Sequence, residues 1–173
     1  VFHFFGGPAV INSEMIESID FFAGNFSPAY GRALAGIINL NTRSPKTDRI
    51  HGMAQIDVLN ASALIEGPIT EDLSFAISGR RSYFDLFLNQ VIPDDTVDIV
   101  AAPRYYDYQA WLTWRGFKDH KLELFLYGSN DLIDLILPEG DPQGNQDFQT
   151  NGLALSNGFT RLQFKWDWKP AGD

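Results

Sequence analysis

The sequence predicts a mainly β protein, in which a small α+β unit at the N-terminus precedes an antiparallel up-and-down meander of about six strands. Two observations carry that expectation. From residue 50 onward, apolar and polar side chains alternate with a period of two over repeated stretches, the spacing that sends successive side chains to opposite faces of a strand. The connections between those stretches are alternately tight turns and long polar loops, and tight turns join antiparallel neighbours.

Residues 1–45 form the first unit and 46–173 the second. Phe2, Phe4 and Phe5 run into the breaker Gly6-Gly7-Pro8. Residues 15–22 are a strand with only partial alternation, and 36–42 a second strand rich in β-branched residues. Between them Ser27 suits an N-cap and Pro28 a first helical position, so one helical turn is expected there. The polar Ser44-Pro45-Lys46-Thr47-Asp48 is the linker.

The alternation is clearest at the end of the chain. Leu162, Phe164, Trp166 and Trp168 share one face, and Arg161, Gln163, Lys165, Asp167 and Lys169 the other. Leu122, Leu124 and Leu126 oppose Lys121, Glu123, Phe125 and Tyr127. Tyr106, Tyr108, Ala110, Leu112 and Trp114 oppose Tyr105, Asp107, Gln109, Trp111 and Thr113. Leu73, Phe75 and Ile77 form a further strand, and 50–58 and 61–69 precede it. Turns are expected at 67–72 and 117–120, and long loops at 89–103 and 137–151. Short turns at one end and long loops at the other are the layout of an outer-membrane barrel, and Trp114, Trp166 and Trp168 lie where an interfacial aromatic girdle would sit. Alternating strands with aromatic ends also occur in soluble sandwiches, jelly rolls and barrels.

Composition excludes several function classes. The 173 residues carry 13 Lys and Arg against 22 Asp and Glu, a net charge of −9. Nucleic-acid binding depends on basic side chains releasing counterions, so no nucleic-acid partner is expected. Without cysteine there is no disulfide framework, thiolate metal site or Cys nucleophile. No apolar run reaches the roughly 18 residues of a transmembrane helix. The chain starts at Val1 and ends in the turn-like Lys169-Pro170-Ala171-Gly172-Asp173, so it reads as a piece of a longer protein. The lack of a signal peptide is then uninformative.

The segment 15–42 resembles the end of the plug domain of TonB-dependent outer-membrane receptors. The matching positions are Ile16, Glu17, Ile19, Asp20, Gly24, Tyr30, Gly31, Gly36, Ile37, Ile38, Asn39 and Thr42. Ala35 stands where that family more often has Gly. Residues 57–85, through Gly67-Pro68 and Arg80-Arg81-Ser82-Tyr83, resemble its first barrel strands. Beyond residue 85 the likeness is one of pattern alone.

The resemblance implies a plug fragment at 1–45 and, at 46–173, the N-terminal strands of a large transmembrane β-barrel. It implies a receptor in the bacterial outer membrane for active uptake of a large scarce nutrient of ferric siderophore, cobalamin or glycan type. Outer-membrane lipid and the TonB complex would be partners, the latter through a segment absent from this chain; the transported ligand is unknown. The plug motif would be Gly24, Tyr30, Gly31, Arg32, Gly36 and Asn39. Arg32, Arg80 and Arg81 are candidate plug–barrel contacts through acidic partners. Leu122, Leu124, Leu126, Leu162, Phe164, Trp166 and Trp168 would face lipid, together with the alternate residues from Tyr106 to Trp114. The glycines would serve positive φ or close approach. The rivals are an uncoupled structural barrel and a soluble β-sandwich binding module.

No catalytic residue, cofactor or metal ligand is expected. His3, His51 and His120 are scattered, without metal-binding spacing. Asp94, Asp95, Asp98, Asp131 and Asp134 fall in or beside expected loops. Such carboxylates suit a hard cation such as calcium, but runs of this kind are more often simply solvated.

Overall fold

The computed structural model describes residues 3, 8–31, 36–83, 100–136 and 153–170. Among these it is mainly β, with eight strands and one 3-10 turn, Ser13–Met15, capped by the Asn12 side chain. Strands β1 (Ile16–Phe22) and β2 (Ile37–Thr42) pair antiparallel in a two-stranded sheet. The second sheet holds β3 (His51–Ile56), β4 (Asn60–Pro68), β5 (Leu73–Ser82), β6 (Val100–Trp114), β7 (His120–Ile136) and β8 (Leu153–Trp168). Its strands lie in sequence order, each antiparallel to the next, so the expected meander is found. The sheet is open: β3 and β8 are its edges.

Residues 27–30 make a single turn rather than a helix. The Tyr30 amide donates to the Ser27 carbonyl at 3.0 Å and the Ala29 amide to Ser27 Oγ at 3.3 Å. The last three strands, of 15, 17 and 16 residues, outrun their alternating segments. Strand β6 takes in the end of the expected 89–103 loop, and β7 takes in Asp131 and Asp134. Asp131 is therefore not a loop carboxylate; its strand position is buried. Asp94, Asp95, Asp98 and the 137–151 loop lie outside the described residues.

The register gives the large sheet two unlike faces. On one, Leu73, Trp114, Leu122 and Trp166 form a row across four strands, followed by Phe75, Leu112, Leu124 and Phe164. Next come Ile65, Ile77, Ala110, Leu126 and Leu162. This apolar face is bare: Leu162 is 66 % exposed, Phe164 63 %, Trp166 59 % and Trp168 61 %. The opposite face carries Glu66, Ser74, Ser78, Asp107, Gln109, Thr113, Ser129 and Asp131, all buried. Polar groups inside and apolar groups outside invert the ordinary arrangement of a protein in water.

Gly128 shows how the ladder continues through residues of turn-like composition. The Tyr108 ring lies across it, and a Cβ there would stand 2.5 Å from the Phe159 carbonyl oxygen and 2.6 Å from the Tyr108 hydroxyl. That hydroxyl hydrogen-bonds Thr160 on β8. Only a glycine leaves room for a ring to cross three strands here. The tight turn after β6 is closed by Asp119, in the left-handed region at φ 64°.

Candidate functional site

The buried polar face is covered by the chain's N-terminal segment. Val10, Ile11 and Met15 are buried, and Met15 packs with Leu64, Ala76 and Trp111. Trp111 stacks on Phe125 with centroids 4.6 Å apart. Around this small apolar island the contacts are polar and directional.

Three groups of side chains hold the segment. The His3 ring lies between two carboxylates, with Nδ1 2.5 Å from Asp131 and Nε2 3.1 Å from Asp107. Arg80 donates through Nε to Asp107 at 2.7 Å and through Nη2 to the Ala9 carbonyl at 2.5 Å. The Gln109 amide accepts from the Asn12 backbone N–H at 2.8 Å and donates to the Val10 carbonyl. Asn12 in turn donates to Ser78 Oγ at 2.7 Å.

The third group ties down the chain where it leaves β2. Arg43 grips Glu66 through both terminal nitrogens, at 2.7 and 2.8 Å, and donates through Nε to the Glu14 carbonyl at 2.7 Å. The Lys46 amide donates to the same carboxylate at 3.1 Å, and its ammonium lies 3.7 Å away. The fork raises the Arg43 pKa above its ordinary value, because Glu66 hydrogen-bonds the charged form. Paired donors of this kind bind a carboxylate more strongly than neutral groups do.

Arg80 and Arg81 lie on opposite faces. Arg80 contacts the N-terminal segment; Arg81 is exposed on the apolar face, opposite Tyr106. Arg81 therefore does not take part in the contacts of the covered face, because neighbouring strand residues point opposite ways. Arg32 lies outside the described residues. Arg80→Lys should keep the charge but lose the fork that reaches both Asp107 and Ala9. We expect a loss of about 1–2 kcal/mol, read by urea unfolding, against no change in Arg81→Lys.

The other expected positions behave unequally. Neither Gly24 nor Gly31 lies in the left-handed region, and a Cβ at either would meet nothing within 4 Å, so neither positive φ nor close approach explains them. Of the three glycines only Gly36 is crowded, with space for a Cβ only 3.1 Å from the Phe22 carbonyl. The left-handed residue near Gly24 is Asn25, at φ 55°. Asn39 donates to Asp20 across the β1–β2 pair and to Asn41 along its own strand, both at 3.3 Å. The Tyr30 ring lies 5.8 Å from that of Phe22. Leu122, Leu124, Leu126, Leu162, Phe164, Trp166 and Trp168 all lie on the apolar face.

Sequence reasoning missed Arg43, Glu66, His3, Asn12 and Gln109. Their partners are 23 to 128 residues away, so no local spacing marks them. A polar cavity of about 180 Å³ remains between segment and sheet, bordered by Asn12, Gln55, Asn60, Arg80 and Asp107. Among the described residues no group of three or more His, Asp or Glu side chains is placed to hold a metal ion.

No protein-family model matches the chain, and neither does a curated protein or a solved structure. The fold and the site define an open antiparallel sheet with one polar face bound to an N-terminal segment and one apolar face left bare.

Proposed function

We propose that the chain is part of the wall and plug of a TonB-dependent receptor in a bacterial outer membrane, serving active uptake of a large scarce nutrient. The inverted sheet is the observation that carries this proposal. A membrane barrel puts apolar residues toward lipid and polar residues toward its interior, whereas a soluble sandwich does the reverse. The dimensions agree. From Trp168 to Gly158, ten residues along β8, the bare face runs from its Trp row to a polar row of Arg81, Tyr106 and Asn130. At about 3.3 Å per residue and a tilt of about 40° this band is about 25 Å tall, the height of the apolar belt of such barrels. Further strands of the complete wall would pair with β3 and β8, since unpaired edges are excluded from hydrocarbon.

Transport on this proposal needs no catalytic group. His3 and residues 8–15 are the plug side of a polar interface, and TonB would act through a segment outside this chain. Water can replace each of the His3, Arg80, Gln109 and Arg43 contacts as it opens, so the interface yields stepwise to force, with only the small apolar island around Met15 left to expose.

Brominated phosphatidylcholines test the placement. Trp166 and Trp168 fluorescence should be quenched most by bromines near the headgroups, and the chain should float with neutral vesicles. A monodisperse chain in detergent-free buffer that leaves vesicles untouched would favour the soluble binding module and overturn the proposal.

A further inference from the structure

We infer that the N-terminal segment docks on the sheet with a proton on each nitrogen of the His3 ring, so that His3, Asp107 and Asp131 form a pH-sensitive latch. The latch belongs to the covered face and does not depend on where the bare face lies. His3 is 3 % exposed, and its ring has a carboxylate on either side. Nδ1 stands 2.5 Å from Asp131 Oδ1, and Nε2 3.1 Å from Asp107 Oδ2. A neutral imidazole carries a single N–H and can donate to only one of these oxygens; its other nitrogen would turn a lone pair toward a carboxylate. The imidazolium donates to both.

The charges around the ring agree. Among the described residues, Arg80 faces His3 from β5, Tyr105 and Asp107 from β6, and Asp131 from β7. Arg80 balances one of the two carboxylates, and a charged ring balances the second, so no uncompensated charge is buried. Arg80 Nη2 also lies 3.3 Å from Nε2, a position from which a neutral ring would accept. Asp107 Oδ2 is nearer to that nitrogen, and Nη2 is engaged at closer range by the Ala9 carbonyl, at 2.5 Å, and by Asp107, at 2.6 Å. The Tyr105 ring stacks on His3 with centroids 4.3 Å apart, and an aromatic face favours a cation.

The direction of the switch follows from which state binds the proton. Histidine in water titrates at about pH 6.5. Below that the ring is charged in the docked and the undocked segment alike, and the latch is at full strength. Above it docking must take up a proton, so the docking constant falls by up to about tenfold per pH unit, until the docked ring loses its proton as well. Strong acid weakens the latch from the other side, by protonating the carboxylates that accept from the ring. The segment is therefore held most firmly in mildly acidic surroundings and let go as the pH rises.

The test uses the 173-residue chain in detergent micelles, with its histidine rings isotope-labelled for nitrogen NMR. At about pH 7.5 the His3 signals, identified by their loss in His3→Gln, should be those of an imidazolium. Hydrogen exchange at the Asn12 amide, which donates to Gln109, reads docking. Corrected for the intrinsic exchange rate, Asn12 protection should fall about tenfold or more between about pH 6.5 and 8.5, while the amides that pair β6 with β7 keep theirs. His3→Gln should lower the protection at the acid end and flatten its slope. His3→Lys, a cation throughout this range, should keep part of the protection with no slope. The β6–β7 amides show in each variant that the sheet has formed. A neutral His3 ring in a chain whose Asn12 amide is protected would overturn the inference, and so would a parent profile as flat as that of His3→Gln. Neither result bears on the membrane placement, which vesicle flotation reads separately.

Discussion

Leu124→Arg should destabilise the chain by about 2–4 kcal/mol in a bilayer, because Leu124 lies in the middle of the bare apolar band, where a charge must be taken into hydrocarbon. Gln163→Arg is the matched control. It lies one strand away, beside Phe125 on the other face, and should change stability by less than about 0.5 kcal/mol. The measurement is urea unfolding from vesicles for both variants. A soluble chain would show no such contrast: Leu124 would tolerate arginine in water, and the difference between the two variants would vanish. The comparison therefore reads the sidedness of the sheet directly.

The second large effect is expected at Arg43. Glu66 is 2 % exposed, and Arg43→Ala removes its strongest partner. Breaking a fully buried pair costs about 3–5 kcal/mol. Here Lys46 stays within reach and the Arg43 side chain keeps some contact with water, so about 2–3 kcal/mol is expected. Replacing both partners, as Arg43→Met with Glu66→Leu, should recover most of that loss, because no charge is then stranded. Urea unfolding followed by Trp111 fluorescence reports it, since Trp111 packs in the island beneath Met15. An Arg43→Ala variant as stable as the parent would show that the fork holds nothing.

Much of the sheet was legible because its pairing is local and its faces differ in polarity. Strands β4, β5 and β8 follow from the alternation at Leu64, Phe75 and Phe164. The middle of β7 did not. Gly128-Ser129-Asn130-Asp131 has the composition of a turn, yet it pairs on both sides, with β6 and with β8. Neighbouring strands impose extension that residue preference alone does not. The arginines teach a similar lesson. Arg80 and Arg81 are indistinguishable as residue types, but Arg80 shares its face with Ser74 and Ser78, and Arg81 with Ile77. Strand parity, carried two residues further, would have separated them. The covered site was illegible for a different reason: His3, Asp107 and Asp131 meet only after the sheet has formed.

That last fact sets an order of assembly. Each pairing in the large sheet joins strands adjacent in sequence, so the meander can grow by short loop closures. The N-terminal ties close loops of 66 to 128 residues, and their partners sit on β5, β6 and β7. They have no binding surface until those strands are in place. The segment that comes first in the chain is thus the last to dock, and under denaturant the first to exchange its amide hydrogens while the meander stays protected.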